Sequence, residues 1–207
     1  NFVVISNKGE CRPFDKDADG MLNGEGIIFM VLKRLEDAEK DKDTIYATIE
    51  GSAINHGGAR ISSLTAPSVE AQKDVIIKAW ENANINPEDI KFIEAHGTGT
   101  ILGDPIEFSG INEAFAEKEI VKSNCKISSI KAQIGHLDTM SGMAGLLRLI
   151  VALNSKIIPA QANFTTPNEH IDEEDSVIKV QRESEYWESN NGKRIGGVSS
   201  YGLTGTN

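Results

Sequence analysis

The run Glu94-Ala95-His96-Gly97-Thr98-Gly99-Thr100 constrains the chain most, because it joins an apolar segment to a helix start across two glycines. Ile90 to Glu94 reads as a short buried strand, and the glycines permit backbone turns that a side chain forbids. Downstream, Asp104-Pro105-Ile106-Glu107 places Asp at the cap, Pro at the first helical position and Glu at the third, which predicts a helix to about Glu117. Strand, glycine loop and helix form one unit of an α/β sheet. In open sheets of that class, ligands bind in the crevice beyond the carboxyl ends of the strands. His96 is held where strand gives way to loop.

Similar alternation runs along the rest of the chain. After Gly24-Glu25-Gly26, residues 27–32 form a continuous apolar run, predicted as a strand buried on both faces. Residues 33–43 read as a short charged helix with Leu35 and Ala38 on one side, and 44–54 as a second strand ended by Asn55-His56-Gly57-Gly58. His56 reads as a ligand or as a polar turn histidine. A Ser/Thr/Pro-rich loop at 62–68 precedes a helix over 69–83, where Val69, Ile76, Ala79, Trp80 and Ala83 share a face. Asn86-Pro87 stops it. Residues 126–130 read as a strand, and Lys131-Ala132-Gln133-Ile134-Gly135-His136 as a second strand ending in Gly and His. From Asp138 to Asn154 the pattern is helical and apolar nearly all round, predicting a helix central to a layered fold, although Arg148 breaks its longest apolar run. A strand at 177–180 follows, and 194–207 reads as a last strand running into a glycine-rich turn.

Composition excludes several classes. A formal net charge of -10 argues against general nucleic-acid binding, since phosphate backbones attract clustered Lys and Arg. The opening Asn1-Phe2-Val3-Val4-Ile5 has no basic lead and is too short for a signal-peptide core, and Leu146 to Leu153 falls short of the ~20 residues a bilayer needs. Membrane attachment is not expected. Two distant cysteines, Cys11 and Cys125, fit a reducing compartment, hence a cytoplasmic location. Asp15, Asp17, Asp19 and Gly20 have the spacing of a calcium loop, but its twelfth position holds Gly26 instead of a bidentate Glu. A turn, solvated or packed against another part of the domain, is the expectation there. No histidine lies at i+3 or i+4 from another, so no metal site is expected. The glycine loop lacks the lysine of a P-loop, and Gly-x-Ser-x-Gly is absent.

What remains is a pair of histidines, His96 and His136, each beside a glycine and each followed by a helix. Two neutral imidazoles converging on one crevice would donate hydrogen bonds to a developing oxyanion, with Lys131 supplying positive charge. The alternative is that each ring satisfies backbone groups at a strand end.

Three runs resemble the signature motifs of the β-ketoacyl synthases, in that family's order and approximate spacing. They are Glu94 to Thr100 with Gly103-Asp104-Pro105, Lys131 to His136, and Gly197-Val198-Ser199-Ser200-Tyr201-Gly202-Leu203-Thr204-Gly205-Thr206-Asn207. The lead-in Cys11-Arg12-Pro13-Phe14-Asp15 through Gly24-Glu25-Gly26 is also similar, and the style is nearest to ketosynthase domains of modular polyketide synthases. The resemblance implies a thiolase-like layered α/β fold (αβαβα) and decarboxylative Claisen condensation of carrier-bound acyl and malonyl-type thioesters. It matches His96 and His136 to decarboxylation and enolate stabilisation, and Lys131 to ordering the site. Thr98 and Thr100 match hydroxyls that bind phosphopantetheine, and the N–H of Leu203, after Gly202, matches an oxyanion donor. Asp138 is expected as the charge partner of Lys131. Leu203-Thr204 stands where many relatives carry Phe-Gly.

The family's nucleophilic cysteine motif has no counterpart here. Residues 1–60 are therefore expected to close an N-terminal thiolase-like half and 61–207 to form a truncated C-terminal half, inactive alone. Strands at 27–32 and 45–52 would belong to the absent half and leave an apolar face exposed. The expected partners are an acyl carrier protein bearing phosphopantetheine and the missing N-terminal half, with the parent a homodimer and no cofactor bound by the chain itself. The alternative is a non-catalytic carrier-binding or assembly subunit that pairs with a separate N-terminal half.

Overall fold

The structure, a computed structural model, describes residues 5–61 and 67–207. Most of the loop expected at 62–68, and the opening residues 1–4, lie outside the described residues.

The helices are α1 (Leu35–Asp41), α2 (Val69–Ala83), α3 (Gly103–Glu117), α4 (Lys131–Ile134) and α5 (Ser141–Ser155). The strands are β1 (Ile90–Glu94), β2 (Cys125–Ser128), β3 (Ile157–Ile158), β4 (Ile178–Val180), β5 (Glu185–Tyr186) and β6 (Ile195–Val198). β1, β2, β4 and β6 form one parallel sheet in the order β4-β2-β1-β6, and β3 pairs antiparallel with β5. The expected helix over 69–83 and strand over 90–94 are found with those bounds. Helix α2 forms there because Ser68 Oγ accepts the Ala71 N–H at its start and Asn84, in the left-handed region, ends it.

The two faces of the sheet carry different cores. Ile77 and Trp80 of α2 and Phe108, Ile111, Ala114 and Phe115 of α3 pack on Ile93, Ile127 and Ile178. On the other face Phe92 meets Leu149 and Ala152 of α5 and Trp187. The alternation along β1 sends Ile93 to one layer and Phe92 and Glu94 to the other.

Five expectations are corrected. Residues 27–32 are neither a paired strand nor buried: Ile27, Phe29 and Val31 are 82%, 91% and 97% exposed. Residues 44–54 likewise form no ladder, and Tyr46, Ile49 and Ile54 are exposed. Apolar composition gives these segments their strand character, but a strand also needs a hydrogen-bonding neighbour, and none lies among the described residues. An exposed apolar face results, as expected. Residues 131–134 are one helical turn rather than a strand. Helix α5 is covered on one side only, by the sheet; Leu147 and Val151 are exposed on the other. Helix α3 begins at Gly103, two residues early, so Asp104 lies inside it instead of capping it.

Two alternatives are resolved. His56 is a turn histidine whose Nδ1 accepts the Gly58 N–H at 2.9 Å. Asp15 is a buried turn carboxylate that accepts from the N–H groups of Asp17, Thr165 and Thr166, while Asp19 accepts from Ser6 Oγ and the Asn7 N–H. These donors occupy the oxygens a calcium ion would need, and no cluster of metal-ligating side chains exists among the described residues. No helix among them is long and apolar enough to cross a membrane.

Candidate active site

The carboxyl ends of β1 and β2 lie side by side, with Glu94 level with Ser128. The chain leaving β1 carries His96, and the chain leaving β2 carries Lys131 and then His136. Two carboxylates of α3 shape the first loop. Glu107 accepts the N–H groups of His96 at 2.7 Å and Gly97 at 2.8 Å. Asp104 accepts the Gly99 N–H at 3.2 Å and the Phe14 N–H at 2.8 Å. Burial pushes the Asp104 carboxyl up to about 6, against the pull of those N–H groups, and raises Glu107 for the same reason. The two residues stand on the same apolar helix face as Ile111. That placement was the sequence signal for their burial, although the motif Asp-Pro-x-Glu suggested helix caps.

The second loop is set by Gly135, which ends α4 with φ +74. A Cβ there would lie 2.9 Å from Gly24 N and 3.0 Å from the Asn23 carbonyl group, so the lead-in and the His136 loop touch through backbone alone. The His136 N–H donates to Leu22 O at 2.7 Å and the Gly24 N–H to His136 O at 2.9 Å. His136 is thereby pinned between the lead-in and α5.

His96 and His136 converge, their rings 5.6 Å apart and nearly perpendicular. Nδ1 of His96 accepts the Tyr201 N–H at 3.3 Å. Nδ1 of His136 accepts the Asp138 N–H at 2.9 Å and lies 3.0 Å from Ser141 Oγ. A nitrogen that accepts from a backbone N–H carries no proton, so each neutral ring bears its hydrogen on Nε2. Burial, then the charge of Lys131, lowers both imidazoles, and His96 falls well below 6.5. Both rings are neutral donors near pH 7.

Lys131 is buried, and its Nζ donates to His96 O at 2.6 Å. Burial lowers it, and the opposing carboxylates are Glu107 first and then Glu94. The expectation that Asp138 is its charge partner is corrected: Asp138 is exposed and spends its backbone N–H on the His136 ring. Thr98 Oγ1 and Thr100 Oγ1 lie 3.2 Å apart in the glycine loop. Gly202 and Leu203 occupy the turn after β6, closed by the Gly202 N–H donating to Thr206 O at 2.6 Å, and Leu203 is exposed. Tyr201 was expected near the site only as part of the turn with Gly202 and without a role of its own; its ring centroid is 5.5 Å from that of His96. Burial, then the charge of Glu107, raises its phenol. Its place beside Gly202 in the third motif run was the signal for it.

A parallel α/β sheet with two neutral imidazole donors and a buried ammonium at its strand ends defines a site suited to negative charge developing on oxygen. Residues 46–165 match the β-ketoacyl synthase C-terminal domain and residues 2–38 the N-terminal domain of the same enzymes. The chain belongs to the β-ketoacyl synthase family, and its fold is thiolase-like. It is 44% identical over 205 residues to the polyketide synthase PksL of Bacillus subtilis, covering 99% of this chain and 4% of that protein. The polyketide synthase PksN of the same organism is 42% identical over 207 residues, which cover 100% of this chain and again 4% of the relative. The chain thus spans a small part of the length of these relatives. Among solved structures, the ketosynthase from module 6 of the bacillaene synthase of Bacillus subtilis superposes with a TM-score of 0.94 at 44% identity. That match covers 98% of this chain and 37% of the other.

Proposed function

We propose that this chain forms the histidine-bearing part of a ketosynthase that condenses carrier-bound acyl and malonyl-type thioesters with loss of CO2. The observation that carries this reading is the close approach of two rings, His96 and His136, each with Nδ1 accepting a backbone N–H and so with its proton on Nε2, beside Lys131. Loss of CO2 from a malonyl thioester leaves the electron pair of the broken bond as an enolate, with charge gathered on the thioester oxygen. Preorganised donors aimed at that oxygen act in the transition state, where stabilisation raises the rate. The enolate carbon then attacks the acyl thioester carbonyl, and the cysteine thiolate leaves. Thr98 and Thr100 bind the phosphopantetheine arm brought by an acyl carrier protein. The N–H of Leu203, presented by the turn at Gly202, is an oxyanion donor for the acyl step.

The nucleophile of that step lies outside these residues. Burial, as the largest cause for each, pushes the Cys11 and Cys125 thiols up to about 12, so both are protonated thiols near pH 7. Both are buried, and Cys11 donates its S–H to Thr98 O at 3.4 Å. The isolated chain is therefore inactive and works with an N-terminal half that carries a reactive cysteine. Intact-mass measurement of this chain with an acyl thioester is expected to give no adduct; acylation of Cys11 or Cys125 would overturn that claim. Mixing the chain with such a half and assaying for 3-oxoacyl product separates a catalytic part from a subunit that only binds carrier.

The site also sets a pH dependence. Protonating Nδ1 of either ring would bring it against a backbone N–H that now donates to it, displacing the ring. Since both imidazoles are lowered, the acid-side midpoint of decarboxylation by the complete ketosynthase is expected below 6.5, the ordinary imidazole value. A rate profile that halves at 6.5 would show an imidazole of ordinary basicity in the reaction.

A further inference from the structure

Arg148, the one charge in the longest apolar run, is buried in α5 against Glu94 of β1, with side chains 8% and 1% exposed. Burial raises the Glu94 carboxyl, and the Arg148 guanidinium and the Ile130 N–H, both donors, oppose it. Glu94 Oε2 accepts from Arg148 Nη1 at 2.6 Å, and Oε1 accepts the Ile130 N–H at 2.7 Å. Arg148 Nη1 also donates to Ser128 Oγ at 2.8 Å, and Nη2 donates to Ala160 O at 3.1 Å. The pair thus ties the ends of β1 and β2 to α5 and to the segment after β3. Gly145, one turn before Arg148, leaves the room, since a Cβ there would lie 3.1 Å from Glu94 Cγ.

The position of this knot matters more than its strength. A buried ion pair offers little stability over well-packed apolar side chains, because desolvation offsets its attraction. Glu94 stands two residues before His96, however, and Ile130 one residue before Lys131. The bond from Ile130 N–H to Glu94 therefore couples the exits of the two strands, and the next contact along them is Lys131 Nζ on His96 O. We propose that Glu94 and Arg148 are positioning residues, which lock the His96 exit of β1 against the start of α4 and hold Lys131 in place as a cation.

This rests on the ketosynthase reading above. The groups facing Lys131 are Glu107 and Asp104 from α3, Glu94 from β1 and Cys11 from the lead-in, with the rings of His96 and His136 also near it. Removing one anion from this set makes the ammonium easier to deprotonate. The alkaline limb of the rate profile then moves to lower pH. Loss of fold alone would reduce the number of active molecules without moving that limb.

The test is malonyl-thioester decarboxylation by the complete ketosynthase. In Glu94→Gln, kcat is expected to fall about tenfold with KM within about twofold, and the alkaline limb to shift down by about half a pH unit or more. Folded Glu94→Gln enzyme with the wild-type kcat and limb would overturn the proposal. If that variant does not fold, Ser128→Ala keeps both charges and removes one bond of Arg148. It is expected to lower kcat about two- to threefold at unchanged KM, and a wild-type kcat there overturns the proposal equally. His96→Ala is run alongside. If it decarboxylates at the wild-type rate, the ketosynthase reading itself fails; if it is impaired while Glu94→Gln is not, only the positioning role fails.

Discussion

His96→Ala and His136→Ala are each expected to slow malonyl-thioester decarboxylation by the complete ketosynthase at least about 100-fold, the scale of losing a preorganised donor to an oxyanion. The two rings serve one oxygen. The double variant is therefore expected to lose little more than either single variant, because partners in one catalytic unit are not additive. Stability should change little. The His96 ring accepts one long bond, from Tyr201 N–H at 3.3 Å, and the His136 ring accepts from a loop that is also held through backbone bonds to Leu22 and Gly24. Initial rates of CO2 release, normalised to folded protein, read the effect. Rates within threefold of wild type in both single variants would remove the two-donor site.

Gly135→Ala is expected to slow the same activity roughly 100-fold without touching a reacting group. The position needs φ +74, and the added Cβ would lie 2.9 Å from Gly24 N and 3.0 Å from the carbonyl carbon and oxygen of Asn23. All three are backbone atoms, so no side chain can swing aside. The lead-in and the His136 loop must separate, and the bonds from His136 N–H to Leu22 O and from Gly24 N–H to His136 O go with them. The backbone there, φ +74 and ψ -175, lies in a region confined essentially to glycine and costs an alanine about 1–3 kcal/mol, and the clash adds to it. Because His136 is carried on that loop, a displacement of ~1 Å is worth roughly 100-fold in rate. A crystal structure of the variant with His136 in its original place, or decarboxylation above a tenth of wild type, would contradict this.

Legibility in the sequence followed the kind of constraint each residue obeys. The helix over 69–83 and the strand over 90–94 were readable because local signals agree: one apolar helix face, and a short apolar strand bounded by Asn86-Pro87 and the glycine loop. His96 and His136 stood out through their place beside glycines and Lys131 as a positive charge five residues before His136, and the structure brings all three together. What escaped was set by neighbours distant in sequence. Residues 27–32 carry a strand's composition, yet composition does not supply a pairing partner, and Phe29 and Val31 are exposed. Asp104 and Glu107 looked like helix caps because cap and anchor use the same residues; only the fold shows their carboxylates turned back onto the glycine loop. The partner of Lys131 was sought in nearby Asp138, whereas burial places it beside Glu107 and Glu94. Tyr201 reached His96 across 105 residues, a separation no periodicity encodes.

The central claim is that His96 and His136 are neutral and offer Nε2–H to one point in the site. Nitrogen-15 NMR of the histidine side chains in the complete ketosynthase at pH 7 tests it most directly, since the ring nitrogens report charge and tautomer for each residue. The expected spectrum shows protonated Nε2 and unprotonated Nδ1 for both His96 and His136, as their bonds from Tyr201 N–H and Asp138 N–H require. An imidazolium or an Nδ1–H tautomer at either residue would contradict the account.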